Sequence, residues 1–465
     1  MNFPDDTIAA VSTPPGEGGI GIVRLSGKEA ISIVDRIFVS PAGKLPSGVR
    51  SHSVIYGFIK DPDTSEKIDE VIVTVMRAPR TYTREDVVEI NCHGGMLPLR
   101  RILGSVISQG SRPAEPGEFT RRAFLNGRVD LSQAEAVIDV IKARTEQAER
   151  MAIQQLEGRL SAEITALRDC VTESCALVET YIDFPEEEVE LPDSASFISS
   201  MQDILDRLSA LSRSFEEGRL FREGAAMAIV GKPNVGKSSL LNTLLKKDRA
   251  IVTDLPGTTR DIIEEGLNID GIPVRIMDTA GIREAHDLVE AEGIRRSLAA
   301  IEGADIILAV YDASRVLDRA DRQIIGKVNN KKTISVINKW DISNGDFDAE
   351  DNGLNIYPTV KISALRGEGI DVLKDTIVAA LLSNKAMPGQ DSAADLLITN
   401  VRHKQLVDGA FASLWQARGT FEKGEPLEVT ALFLREALNS LGEIIGVVTT
   451  DDILNKIFSE FCIGK

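Results

Sequence analysis

Three features of the sequence predict a multidomain chain that combines α+β and α/β architecture. They are a β-rich N-terminal stretch punctuated by glycine and proline, a long apolar stripe at helical spacing, and a phosphate-loop octapeptide directly behind an apolar strand. At 465 residues the chain has material for about three domains. A hydrophobic share of 43% and a charged share of 27% are ordinary for a soluble globular protein, and no apolar run approaches the length of a membrane-spanning helix, so none is expected. The segment Met1–Asp6 has neither a basic nor an apolar region, so no secretory signal is expected and a cytoplasmic location is. Cys92, Cys170, Cys175 and Cys462 have neither metal-site spacing nor disulfide density and are expected as reduced thiols. The net charge of −18 opposes non-specific binding to a phosphate backbone. A nucleic-acid partner must then be met locally or through another protein; Arg100/Arg101 and Arg121/Arg122 are local basic pairs, each read as a solvated face.

Residues 1–120 alternate short β-rich segments, 19–25, 54–59 and 70–76, with Gly/Pro turns such as Pro14-Pro15-Gly16, which reads as an α+β domain. Near Asp130 the period changes. Ser132-Gln133-Ala134-Glu135 has the spacing of a capping box, and apolar residues then recur at helical intervals as far as Ile182, with Gly158 expected to interrupt or bend the helix. So long a stripe with no following strand needs helical partners, which residues 197–215 and the C-terminal block supply. The predicted arrangement is a discontinuous helical domain, 121–217 and 385–465, into which a nucleotide domain, 218–384, is inserted.

The inserted domain carries the chemistry. In Gly231-Lys232-Pro233-Asn234-Val235-Gly236-Lys237-Ser238, the glycines permit a tight turn that aims successive N–H groups and a helix N-terminus at a β-phosphate. Lys237 is expected to reach the β and γ oxygens and Ser238, beside Ser239, to bind Mg²⁺. Thr253, Asp254, Leu255, Pro256, Gly257, Thr258 and Thr259 form a loop suited to order around Mg²⁺ and a γ-phosphate, with Thr259 as the Mg²⁺-binding switch threonine. Asp278, Thr279, Ala280 and Gly281 follow a strand and supply a metal-shell carboxylate and a γ-phosphate-sensing N–H. Asn338, Lys339 and Asp341 select the base, because a carboxylate at 341 accepts from guanine N1–H and the 2-amino group, donors that adenine lacks. Ser363, Ala364 and Leu365 would back the base with a main-chain N–H. The ordered set predicts a P-loop GTP-binding domain. Ile282 stands where Ras-type proteins have a water-orienting glutamine, so hydrolysis needs another water-positioning group and another positive charge. Glu284, Asp287 and Glu290 are the acidic candidates, none preferred on spacing.

Beyond the GTP motifs, four stretches are more specific: Pro14-Pro15-Gly16-Glu17-Gly18-Gly19-Ile20-Gly21-Ile22-Val23-Arg24, Glu89-Ile90-Asn91-Cys92-His93-Gly94-Gly95, Pro116-Gly117-Glu118-Phe119-Thr120 with Arg122-Ala123-Phe124-Leu125-Asn126, and Phe461-Cys462-Ile463-Gly464-Lys465. With them the sequence closely resembles, along essentially its whole length, the MnmE (TrmE) family of bacterial tRNA-modification GTPases. The resemblance implies a homodimer held by N-terminal domains of tetrahydrofolate-binding fold, a helical domain and an inserted Ras-like domain. It also implies that the chain acts with the FAD-dependent protein MnmG (GidA), in a heterotetramer or larger complex. Together they would add a carboxymethylaminomethyl-type group to carbon 5 of the wobble uridine of certain tRNAs, from a 5-formyl- or methylene-tetrahydrofolate-type donor.

The same resemblance implies roles for single residues. Asn234, with Thr253, Leu255 and Thr258, would hold K⁺, which supplies the missing charge; oxygen-rich coordination of that ion is physically reasonable. Glu290 matches the family's catalytic glutamate, acting on the attacking water through a second water. Arg24, Glu89, Arg128 and Lys465 match folate-binding positions, with Arg128 where many relatives have lysine. Cys462 does not sit in a prenylation motif, because Gly464 and Lys465 do not fit one; a chemical role beside the folate and a buried structural thiol both stay open. A different class of function, a ribosome- or RNA-associated GTPase switch with a purely dimerising N-terminal domain, is the alternative.

Overall fold

The computed structural model describes residues 6–183, 194–248, 266–277, 301–328, 331–343, 354, 357–382 and 398–465. They form two compact units, one holding the described residues up to Ile138 with Gly442–Lys465, the other the described residues from Asp139 to Leu441. No helix among the described residues is long and apolar enough to cross a membrane.

The first unit is built on β1 (Ile8–Val11), β2 (Gly18–Ser26), β3 (Phe38–Val39), β4 (Ser53–Lys60), β5 (Lys67–Met76), β6 (Val87–Gly94) and β7 (Arg112–Pro113). They make one sheet in the order β3-β4-β5-β6-β2-β1-β7, antiparallel except for β1 against β7. The strands expected over 19–25, 54–59 and 70–76 lie within β2, β4 and β5. Alternation sets the sheet's two faces. One buries Val23, Leu25, Val73, Val75, Val88 and Ile90 against α1 (Ala30–Ile37) and α2 (Met96–Ser108) through residues such as Ile33, Val34, Leu99 and Ile102. On the other face Val54, Tyr56 and Ile72 remain exposed, Tyr56 directly opposite Ile72 in the ladder.

A second layer of this unit rests on charge. Helix α3 (Glu118–Leu125) turns Phe119, Arg122 and Ala123 inward together, as their i, i+3, i+4 spacing requires. Arg122 is therefore buried, which overturns its reading as part of a solvated basic face; Arg121 is also mostly covered and faces Asp451 at 3.6 Å. Three acids receive the Arg122 guanidinium: Asp6 at 2.7 Å, Glu118 at 3.0 Å and Glu85 at 3.3 Å. Arg112 joins the same cluster through Asp6 and Glu118, both at 2.7 Å.

The capping box of helix α4 (Leu131–Lys142) lies two residues earlier than expected. Asp130 Oδ1 accepts from the Gln133 N–H while Gln133 Oε1 accepts from the Asp130 N–H, so the reciprocal pair is Asp130/Gln133. Leu131, Ala134 and Ile138 of α4 pack on Leu454 and Phe458 of a C-terminal helix (Asp451–Ser459) and on Phe461.

In the second unit the expected helical stretch is broken twice, leaving α5 (Glu146–Leu156) and α6 (Arg159–Asp183) after α4. Gly158, at φ 89°, makes the expected break. The other was not expected: Thr145 caps α5, accepting from the Ala148 N–H at 3.2 Å. Helix α7 (Ser194–Glu223) packs on the helix Val401–Glu422, as anticipated for these distant segments, with Ser212 donating to Asp408 at 2.5 Å. Between them in sequence lies a sheet of β8 (Ala225–Val230), β9 (Gly266–Ile269), β10 (Ile272–Met277), β11 (Ile306–Asp312), β12 (Thr333–Asn338) and β13 (Thr359–Lys361). Its order is β13-β12-β11-β8-β10-β9, parallel except for the β9–β10 hairpin. Every residue of β8, β11 and β12 is buried, which is why these runs are almost wholly apolar.

Burial alone would raise the carboxyls of Asp6 and Glu118, but hydrogen bonds from Arg112 and Arg122 hold both below their usual range. Depressed folded values give stability that is present above the unfolded pKa of about 4 and lost as pH falls through the lower folded values. Arg122→Leu should destabilise the first unit by roughly 3 kcal/mol, the low end for a broken buried pair because Arg112 still serves both acids. Its acid-side loss of stability should also be shallower. Urea unfolding at a series of pH values, read by hydrogen exchange over residues 112–125, checks both.

Candidate functional site

The phosphate loop leaves the fully buried β8 at Gly231 and enters α8 (Lys237–Asp248), as a strand-loop-helix phosphate site requires. Its shape is set by Asn234, at φ 66°, and Gly236, at φ 100°. A Cβ on Gly236 would run into the Asn338 side-chain amide, so only glycine fits there. Val235 is the loop's buried anchor. The Lys237 ammonium donates to the carbonyls of Gly231 and Lys232, both at 2.8 Å, and burial lowers its pKa. Ser238 and Ser239 are exposed in the first turn of α8, and Asn234 is exposed at the loop tip.

Asn338, at the end of β12, ties this loop to the base-reading segment. Its Nδ2 donates to the Val235 carbonyl at 2.8 Å and its Oδ1 accepts from the Ala364 N–H at 3.0 Å. Lys339, at φ 63°, sends its ammonium to Asp312 at 2.7 Å. Burial would raise the Asp312 carboxyl, but Lys339 and Ser314 hold it below the usual range. Asp341 is nearly covered, with Arg366 Nε at 3.4 Å. In the neighbouring loop the Ser363 N–H donates to the Glu368 carbonyl and the Ala364 N–H to Asn338, while the Leu365 side chain points into solvent. Sequence reasoning missed two supports of this loop system. Asp312 is the polar residue closing the apolar run of β11, a readable signal, whereas Thr243, which donates to the Ala364 carbonyl at 2.8 Å, has no such mark. Thr253, Asp254, Leu255, Pro256, Gly257, Thr258, Thr259, Asp278, Thr279, Ala280, Gly281, Ile282, Glu284, Asp287 and Glu290 lie outside the described residues.

In the first unit, Arg24 on β2 and Glu89 on β6 are direct cross-strand partners, with Arg24 Nε and Nη2 each 2.8 Å from Glu89 Oε1. Arg24 Nη1 donates to the Gly464 carbonyl at 3.1 Å, so the C-terminal segment folds onto this pair. Ile463 bridges Pro116, and the Phe119 N–H donates to a Lys465 backbone oxygen at 3.2 Å. Burial and then the Arg24 charge lower the Lys465 pKa, against the opposing pull of Cys462 and Glu89. Arg24, Glu89 and Lys465 are thus brought together. Arg128 stands apart from that knot, over the Tyr82 ring at 4.8 Å and donating to the Tyr82 carbonyl at 3.1 Å. The Cys462 side chain is exposed, which removes the buried structural thiol from its two readings. Tyr82 and Phe119, which link these groups, carried no signal of their own in the sequence: Tyr82 packs against Phe119, and its hydroxyl meets Thr120 at 2.9 Å.

Comparison with known proteins covers the whole chain. The family described as GTP-binding protein TrmE N-terminus matches residues 7–128, and the MnmE helical domain family matches residues 131–462. Proteins named tRNA modification GTPase MnmE from Carboxydothermus hydrogenoformans and Geobacter metallireducens are each 47% identical to it. The first aligns over 99% of this chain and 100% of its own, the second over 99% of both. Among solved structures, Era in complex with MgGDPNP and a 16S ribosomal RNA segment aligns at 31% identity over 41% of this chain and 66% of its own, with a TM-score of 0.28; the assignment does not rest on it. With two family matches along it and relatives of this identity from end to end, the chain belongs to the MnmE (TrmE) family and is a GTPase acting in tRNA modification.

Proposed function

We propose that this GTPase supplies the conformational work for a folate-dependent addition of a carboxymethylaminomethyl-type group to carbon 5 of a tRNA wobble uridine. The FAD-dependent protein MnmG would be its partner and a homodimer its working form. The observation that carries the reading is the C-terminal segment closed onto the Arg24–Glu89 pair. It places two cations, Arg24 and Lys465, beside one carboxylate in a partly covered setting. A reduced folate offers complementary chemistry: carboxylates for the cations and donor groups on its pterin edge for Glu89. The exposed Cys462 next to that set is available for chemistry on the one-carbon unit. The exposed stripe of Val54, Tyr56 and Ile72 supports dimerisation through the N-terminal sheet.

At the nucleotide, the rigid loop tied by Asn338 binds the phosphates, Lys237 offers its charge to the β and γ oxygens, and Asp341 reads guanine. Mg²⁺ would be held by Ser238 and Thr259, within reach of Asp278. K⁺ would be held by Asn234, Thr253, Leu255 and Thr258; the exposed left-handed Asn234 at the loop tip suits an oxygen donor to such an ion. These ions supply positive charge where the phosphoryl oxygens develop negative charge. Glu290 would orient the attacking water, the task that the aliphatic Ile282 cannot perform.

Two measurements test the site. Asp341→Asn should weaken GTP binding by at least about a hundredfold, because the carboxylate that accepts two guanine donors becomes an amide that donates toward them. Titration with a fluorescent GTP analogue reads the loss, and an unchanged affinity removes Asp341 from base reading. GTP turnover in potassium buffer should exceed that in sodium buffer, and Asn234→Ala should abolish the difference; equal wild-type rates remove the ion. For the folate reading, equilibrium dialysis with 5-formyltetrahydrofolate should show binding that falls at least tenfold in Arg24→Gln. Absence of binding, with co-sedimentation on ribosomes, favours an RNA-associated switch instead.

A further inference from the structure

A cavity of about 430 Å³ in the first unit is lined by Arg80, Arg84, Arg128, His52, Met76 and Tyr82, among others. Within a chain of net charge −18 this is an unusual grouping, because none of its three arginines has a carboxylate of the described residues at ion-pair distance. Several arginines elsewhere in the unit face acids, Arg24 facing Glu89, Arg112 and Arg122 facing Asp6 and Glu118, and Arg121 facing Asp451, while Arg77 is held by the carbonyls of Ser47 and Val49. Arg84 and Arg128 are positioned by main-chain carbonyls, those of Asn126 at 2.9 Å and Tyr82 at 3.1 Å, which orient a guanidinium without cancelling its charge.

The cavity neighbours the Arg24 cluster, separated from it by the side chains of Tyr82 and Phe119. Arg24 lies 5.7 Å from the Phe119 ring centre, Phe119 belongs to the small apolar cluster on which Tyr82 packs, and Tyr82 carries Arg128 on its ring. Burial raises the Tyr82 pKa, while its bond to Thr120 and the charges of Arg128 and Arg24 pull it down, so one phenol senses both cationic centres. A ligand seated at Arg24, Glu89 and Lys465 therefore has a neighbouring cavity of positive charge into which an anionic extension can run.

We propose that this cavity holds the γ-linked oligoglutamate tail of the folate placed at the Arg24–Glu89–Lys465 cluster, and that the protein is selective for the polyglutamylated donor; this rests on the folate reading above. Spaced carboxylates on a flexible thread match separate guanidinium groups around a small concave site. A nucleic-acid backbone would need a broader basic face than three arginines in an acidic chain provide.

Calorimetric titration of the full-length protein with tetrahydrofolate monoglutamate and pentaglutamate tests this. The pentaglutamate should bind about tenfold more tightly at low salt, the sum of several modest exposed ion pairs, and the preference should shrink at high salt. Arg80→Gln, a change at an exposed side chain, should reduce the preference, and Arg80→Gln/Arg84→Gln should remove it, with GTP turnover kept as evidence of folding. Equal affinity of the two forms for the wild type overturns the tail site while leaving the folate reading intact. A preference that survives in the double variant also overturns it, as does a double variant that loses tRNA in a filter-binding assay while keeping the preference. If neither folate binds the wild type, the folate reading fails and the tail site falls with it.

Discussion

The buried amide of Asn338 is the constraint on which the nucleotide site depends. One side chain joins the phosphate loop, through the Val235 carbonyl, to the base loop, through the Ala364 N–H. Its two bonds use a donor and an acceptor of opposite kind, so neither Asp nor Leu could replace it. The close approach it needs explains Gly236, where any side chain would meet this amide. The same strand end turns Lys339 into a left-handed conformation toward Asp312 and brings Asp341 to a largely covered position beside Arg366. The phosphate loop and the loop after β13 are thus tied together through a single buried amide.

The inserted domain was legible at β8 and β12 because both are buried along their whole length and so appear as short apolar runs. β10 and β13 each carry an exposed cation, Arg275 and Lys361, and were marked less by apolarity than by the motifs that follow them in the sequence. The helical region was less legible. Gly158 broke the helix as a glycine should, whereas the unexpected break falls between Lys142, the end of α4, and Thr145, the cap of α5, where the apolar stripe skips from Ile141 to Ala148. The capping box was displaced for a related reason. Ser132 and Asp130 can both cap, and Gln133, three residues beyond Asp130, settles the choice only once the reciprocal bonds are seen.

Arg122 shows why charge is the property hardest to read along a chain. Adjacent to Arg121 it looks like half of a basic patch, yet its helix also carries Phe119 and Ala123 on the same inward face. What makes its burial tolerable is a set of acids, Asp6, Glu85 and Glu118, drawn from three separate places in the sequence. A buried arginine of this kind need not add stability over an apolar residue of similar shape, but it demands a particular arrangement of its partners. The N-terminal segment at Asp6, the Glu85 turn and α3 are thereby held in one register, the register in which Phe119 supports both Tyr82 and Arg24.

That accounting of acids also bears on how so acidic a protein can meet anionic ligands at all. Net charge governs long-range attraction, and over distances beyond the Debye length of about 8 Å in physiological salt it is screened. At contact, what matters is which cations keep their charge uncompensated. In the first unit the interior arginines Arg112 and Arg122 are matched by carboxylates, whereas Arg84 and Arg128 beside the Tyr82 cavity are oriented by carbonyls that do not neutralise them. An excess of acids elsewhere does not weaken that local field much, but it does discourage extended polyanions from settling on the rest of the surface. A few uncompensated arginines around one concave site in an otherwise acidic chain thus favour a compact anion over a nucleic-acid backbone.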